Sequence, residues 1–93
     1  MLLTGARPGE VLREWLPEGI TVTQAAEELH MARPTLSKVL NGQAGVSAVR
    51  ARRLAAWLGT SPDMWVKMQA AYDLWQQARK VRLPNIQPMQ RAA

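Results

Sequence analysis

The sequence predicts an all-α fold of five helices. Proline and glycine divide its 93 residues into segments whose apolar side chains recur at i, i+3 and i+4, and no segment alternates apolar with polar residues long enough to make a strand. Cysteine is absent, so neither a disulfide nor a thiolate metal site reinforces the core, and helix packing must carry the stability unless a partner chain adds to it. A chain of this length buries only about 60 to 65% of the surface its unfolded form exposes, so the core is expected to be modest.

The first helix is expected over about residues 8 to 16. Pro8 suits a first helical position, Val11, Leu12, Trp15 and Leu16 form the apolar stripe, and Pro17 with Gly19 ends it. Thr21 and Gln24 then stand in the capping-box arrangement and start the second helix at Val22, with Val22, Ala25, Ala26 and Leu29 as its buried stripe. After a short turn at His30 and Met31, a third helix runs from about Arg33 to Leu40. Asn41 and Gly42 end it, both tolerating the left-handed conformation that helix termini often use. Ser47 caps the fourth helix, whose Ala51, Leu54, Ala55 and Leu58 precede a terminating Gly59. Ser61, Pro62 and Asp63 supply an N-cap, a first-turn proline and an acid at the positive end of the dipole; the fifth helix then continues unbroken to about Lys80. It should be about 28 Å long. The domain is therefore placed at residues 1–81, and residues 82–93, "RLPNIQPMQRAA", are read as an extended or disordered tail.

Charge is polarised along the chain. The net charge is +5, yet residues 1–32 hold Arg7 and Arg13 against Glu10, Glu14, Glu18, Glu27 and Glu28, while residues 33–93 hold ten basic residues against Asp63 and Asp73. Between Arg33 and Arg53 there are five basic residues and no acidic one, the pattern of a footprint for phosphates, with an ordinary solvated basic surface as the alternative. The opening "MLLTGARPGE" has too short an apolar run for a signal peptide, and no stretch approaches the ~20 apolar residues of a membrane span. A soluble, cytoplasmic protein with no membrane association is expected.

The third helix is the informative one. Leu36, Val39 and Leu40 make a single apolar stripe, while Pro34, Ser37, Lys38 and Asn41 lie round the other side. Two short helices joined by a tight turn, the second with an outward polar face and basic flanks, describe a helix-turn-helix reader of DNA over about residues 21–41. Ordinary packing of a helical pair is the alternative. As a reader, the third helix would be held by its apolar side so that the other face enters a major groove roughly 12 Å wide.

The segment "TVTQAAEELHMARPTLSKVLNGQ" resembles the Cro/repressor-type (XRE) helix-turn-helix. With "RPGEVLREWL", "NGQAGVSAVRARRLAAWLGTSP" and "DMWVKMQAAYDL" the chain is similar to the HigA (VapI-like) antitoxin branch of that family, over about residues 7 to 75. The resemblance implies a five-helix lambda-repressor-like DNA-binding domain with a long C-terminal helix. It further implies an antitoxin that binds operator DNA as a homodimer, autorepresses its operon and neutralises a HigB-like endoribonuclease toxin, nucleoid-associated when bound to DNA. A stand-alone XRE-type repressor without a toxin is the alternative. The chain departs from the family at Val22, where many relatives place a phosphate-holding glutamine, so that clamp falls to Gln24, Thr23 or backbone amides; at His30, where glycine is usual; and in a shorter link between the first two helices.

The candidate DNA-binding residues are Thr23, Gln24, Arg33, Pro34, Thr35, Ser37, Lys38, Asn41, Gly42 and Gln43. Arg33 has the reach for bidentate hydrogen bonding to guanine, with a phosphate contact or a free surface position as alternatives. Thr35 is placed for a thymine methyl or base edge, and Pro34 either shapes the helix start or touches DNA. Ser37 and Lys38 lie farther along and suit phosphate, which positions without specifying. The loop of Asn41, Gly42 and Gln43 offers backbone amides and short side chains to a phosphate, or is only a helix cap. Gln24 is already explained by capping. Arg50, Arg52 and Arg53 broaden the basic field or simply face solvent.

On the fifth helix, Met64, Trp65, Met68, Ala71, Tyr72 and Trp75 form a broad apolar face and Val66, Ala70 and Leu74 a weaker second stripe. One core cannot easily cover both, so one side is expected to pack on the first and fourth helices and the other to meet a second subunit or the toxin, with core packing alone as the alternative. Trp65, Met68, Tyr72 and Trp75 are the candidate dimer or toxin contacts. No catalytic, metal or cofactor site is expected: one histidine at a turn, no cysteine, no nucleophile arrangement and no phosphate-cradling glycine loop leave nothing to build an enzyme on. A basic ribonuclease using Arg, Lys and Glu remains the enzymatic alternative, and the helical pattern speaks against it.

Overall fold

Capping chemistry sets the helix ends in a computed structural model that describes residues 5–89. The five helices are α1 (Pro8–Trp15), α2 (Val22–Leu29), α3 (Arg33–Leu40), α4 (Ala48–Leu58) and α5 (Pro62–Lys80), and no strand occurs among the described residues. The fold is all-α, as the sequence predicts. α1 stops at Trp15, because Leu16, which precedes Pro17, is extended with ψ 137°. At α2 the Thr21 hydroxyl accepts from the Gln24 amide at 3.0 Å while the Gln24 side chain accepts from the Thr21 amide at 3.3 Å. Ser47 and Ser61 cap α4 and α5 in the same manner, through the amides of Arg50 and Asp63.

Three helix ends use a left-handed residue, and at α4 it is Gly59, φ +72°. Gly42 supplies one after α3 at φ +75°, whereas Asn41, also expected to do so, stays at φ −92°, ψ 5°. After α2 the left-handed residue is His30, at φ 54°, ψ 46°. A side chain there is strained by crowding of its Cβ, although histidine tolerates the region better than most residues. The position is held in place: His30 N–H donates to the Ala26 and Glu27 carbonyls, Met31 N–H donates to the Ala26 carbonyl at 2.9 Å, and the Arg53 guanidinium donates to the His30 carbonyl.

One apolar core joins all five helices. Leu12 of α1, Ala25, Ala26 and Leu29 of α2, Leu36, Val39 and Leu40 of α3, Val46 of the following loop, Ala51, Leu54 and Ala55 of α4 and Trp65 of α5 are buried, and no polar side chain is buried among the described residues. α3 is held between α1 and α2, while α4 packs on α5 and α2, and α5 returns to α1. α1 approaches α3 at Gly9, where a Cβ would fall 2.1 Å from the Val39 carbonyl oxygen. No side chain other than hydrogen fits there without moving one of the two helices.

Trp65 corrects the sequence reading. Assigned to a dimer or toxin surface, it is 0% exposed, with its indole N–H donating to Thr60 Oγ1 at 2.9 Å and its ring edge-on to Trp15 at 5.6 Å. The apolar stripe of α5 runs unbroken in sequence, but its first turns lie on α1 and α4 and belong to the core. Met68, Tyr72 and Trp75 are half-buried, Met68 against that core. Val66 and Leu74 on the second stripe are 41% and 68% exposed. Residues 82–89 form no helix or strand and are exposed throughout; residues 1–4 and 90–93, which carry part of the expected tail and of the signal-peptide reading, lie outside the described residues. No described helix is long and apolar enough to cross a membrane.

Two substitutions test this arrangement. Gly9→Ala is expected to destabilise the fold by about 1 to 3 kcal/mol, the range for forced overpacking, measured by denaturant unfolding. His30→Gly relieves the left-handed strain and is expected to add about 0.5 to 1 kcal/mol, seen as a rise in Tm of roughly 3 to 6 °C.

Candidate nucleic-acid interface

α3 carries two opposed faces within eight residues. Leu36, Val39 and Leu40 are buried, whereas Arg33, Pro34 and Lys38 are exposed and Thr35 and Ser37 half-exposed. The buried side is clamped by α1 and α2, so the polar side stands clear of the body. Arg33, in the first turn, has its Nε–H donated to Thr23 Oγ1 of α2 at 3.0 Å, across the turn between the two helices. Thr23 and Gln24 are exposed, Gln24 with its side-chain oxygen held in the capping box.

The far end of α3 is arranged differently from the sequence expectation. The amides of Asn41, Gly42, Gln43 and Ala44 donate back to the carbonyls of Ser37, Val39 and Lys38 at 2.8 to 3.2 Å. These N–H groups close the helix and are not free to cradle a phosphate, a correction to the backbone role given to this loop. The physical reason is the general one that the last carbonyls of a helix must find donors, and here the loop itself provides them. Asn41 is also engaged through its side chain, which accepts from Arg13 Nη2 at 3.0 Å and reaches Ser37 Oγ at 3.5 Å. What remains outward and uncommitted near this end is the side chains of Lys38 and Gln43, both exposed.

Three arginines outside the candidate DNA-binding residues support this end of α3: Arg7 and Arg13, to which the sequence gives no role, and Arg50, expected only to broaden the basic field or face solvent. Arg13 of α1 also donates to the Leu40 carbonyl at 3.3 Å. Arg7, the residue before α1, lies against Gly42, donates Nε–H to the Tyr72 hydroxyl at 3.1 Å and sits over the Tyr72 ring. The bond to Tyr72 holds its guanidinium still more firmly in the charged form. Arg50 of α4 donates to the Gly45 carbonyl at 2.9 Å. Arg7, Gly42, Arg50, Gln69, Tyr72 and Asp73 line an open cleft of about 460 Å³ between the loop and α5, across which Gln69 accepts the Val46 amide at 2.8 Å. Arg7 and Arg13 sit in the acid-rich third of the chain, so counting charge along the sequence hides them; folding brings them to the basic helix.

Comparison with known proteins agrees with this geometry. Residues 10–65 match the model of a helix-turn-helix domain. The chain is 42% identical over 80 residues to antitoxin HigA-1 of Vibrio cholerae, covering 81% of this chain and 75% of the relative. The chain belongs to the HigA-type branch of the helix-turn-helix family. It is also 42% identical over 59 residues to virulence-associated protein A′ of Dichelobacter nodosus, covering 62% of this chain and spanning only 51% of that relative's length. Among solved structures, the Pseudomonas aeruginosa antitoxin HigA with the higBA promoter superimposes with a TM-score of 0.80 at 30% identity, over 92% of this chain and 99% of that one. This HigA-type chain shares the all-helical fold of that antitoxin.

The brace from α1 is directly testable. Arg13→Ala removes donors from the Leu40 carbonyl and the Asn41 side chain, and is expected to lower stability by about 1 kcal/mol in equilibrium unfolding while leaving helix content by circular dichroism unchanged.

Proposed function

We propose that this HigA-type protein binds operator DNA as a homodimer, with α3 of each copy in successive major grooves, and that it represses its own operon and neutralises a HigB-like toxin. The observation that carries the DNA reading is the division of α3 into a fully buried apolar side and an exposed side bearing Arg33 and Lys38. A helix fixed in this way can enter a groove without losing its packing. The Pseudomonas HigA, whose structure contains promoter DNA, has the same fold and supports this reading. Arg33 reads a guanine, Thr35 meets a thymine methyl or base edge, and Ser37, Lys38 and Gln43 contact phosphates, with Pro34 shaping the entry of the helix. The site of action is the cytoplasm, on the nucleoid when bound.

The dimer and toxin roles rest on α5 and on the family. Val66, Ala70 and Leu74 form an exposed apolar stripe on the side of α5 turned away from the half-buried Met68, Tyr72 and Trp75, and this stripe is the surface we assign to a second copy or the toxin. Two α3 helices in successive grooves place half-sites about 34 Å apart. The antitoxin role is supported by the name of the Vibrio relative and is tested by co-expressing the chain with the product of the neighbouring reading frame and assaying rescue of growth.

The DNA role is tested by fluorescence anisotropy with a duplex from the chain's own upstream region against a scrambled duplex at two salt concentrations. A preference of about a hundredfold or more that persists as salt rises is expected, and equal affinity overturns the reading. Arg33→Ala is expected to cost about 1 to 3 kcal/mol on the operator, and Lys38→Ala to weaken all sequences alike and flatten the salt slope by about 0.9.

A further inference from the structure

We infer that Thr23 is a positioning residue for base recognition: its hydroxyl fixes the Arg33 guanidinium so that the two terminal nitrogens, and not Nε, face a guanine in each half-site. The inference rests on the operator-binding reading and deepens it. Two residues ten apart in sequence, on different helices, are joined by the Arg33 Nε–H to Thr23 Oγ1 bond at 3.0 Å. Both are exposed, so the bond stands at the rim of the outward face and not in the core.

The chemistry follows from the shape of the guanidinium. It has five N–H donors in a rigid plane and can meet the O6 and N7 of guanine in two ways, side-on through Nε and one Nη, or end-on through Nη1 and Nη2. A bond from Nε to Thr23 removes the side-on mode and leaves the end-on pair intact. It also ties down a long side chain before DNA arrives, so less freedom is lost on binding. The same bond gives the Thr23 hydroxyl an occupation other than clamping phosphate. The α2 capping box is built from Thr21 and Gln24 and makes no use of Thr23, so the side chain is not needed for helix initiation.

The test is selection of binding sites from a randomised duplex library by the full chain, in wild-type form and as Thr23→Val, Thr23→Ser and Arg33→Ala. Val keeps the shape of Thr without the hydroxyl, and Ser restores the hydroxyl without the methyl. Thermal unfolding of each variant confirms that the fold is intact. The expected result is one position per half-site at which wild-type protein prefers guanine, at which Arg33→Ala shows no preference, and at which Thr23→Val lowers the preference about tenfold while other positions keep theirs. Thr23→Ser retains it. An unchanged guanine preference in Thr23→Val, or a uniform loss of affinity for every sequence, overturns the inference and leaves operator binding standing; the second outcome makes Thr23 a phosphate contact. A selected motif without an Arg33-dependent guanine also overturns it. If the wild-type chain selects no motif at all, operator binding itself falls.

Discussion

Eight residues are too few to hold an α-helix in water, because nucleating a helix costs more than two turns of hydrogen bonds return. α3 is such a helix, and its outer half is committed to solvent. Everything that keeps it helical therefore comes from elsewhere in the chain. Leu36, Val39 and Leu40 anchor one side; burying three such side chains contributes about 1.5 to 3 kcal/mol each by area. α1 presses close enough at Gly9 to exclude a methyl group and sends Arg13 to the Leu40 carbonyl, while the loop amides close those of Ser37, Lys38 and Val39. α2 stands at the other end. The remaining helices complete the shell that makes those contacts rigid, with Trp65 as the largest piece under α5.

The sequence made the helices legible because each carries its own punctuation. Thr21 with Gln24, Ser47, Ser61 with Pro62, and Gly59 are local signals, and the structure places helix ends where they stand. The stripe of α3 was equally readable, since burial of Leu36, Val39 and Leu40 follows from spacing alone. What could not be read is which part of a continuous stripe lies under neighbours. On α5, Trp65 and Trp75 share a face, yet one is sealed in the core and the other is half-buried beside Gly5, stacked near Tyr72 and beneath the Arg79 guanidinium. Spacing reports direction around a helix axis and says nothing about how far along that axis the partner helices extend.

The candidate site shows the same division. Arg33 and Lys38 were found from the outward face of α3, and the structure leaves both exposed. The amides of residues 41–43 kept two readings, phosphate cradle or helix cap, because a glycine-containing loop after a helix looks identical whether its N–H groups point to a ligand or back to the helix carbonyls; the structure takes the cap. Arg7 and Arg13 have no place in that reading for a different reason. Arg7 meets Tyr72 and Arg13 meets Asn41 across 65 and 28 residues, and neither pairing has a local signature.

The Arg7–Tyr72 contact has a bearing on how the chain opens. It joins the start of the helical body to its last long helix, through side chains that are exposed or half-buried, with Gln76 adding a bond to the same hydroxyl at 2.7 Å. Of the side-chain hydrogen bonds described, it closes the longest loop, and closure entropy grows with the logarithm of loop length while little apolar area is gained in return. Such a clasp belongs to the low-stability end of the native ensemble, where amide protons exchange through local opening rather than global unfolding. The Arg7 segment ahead of α1 and the Tyr72 side of α5 should thus part and rejoin many times for each time that α3 leaves the core.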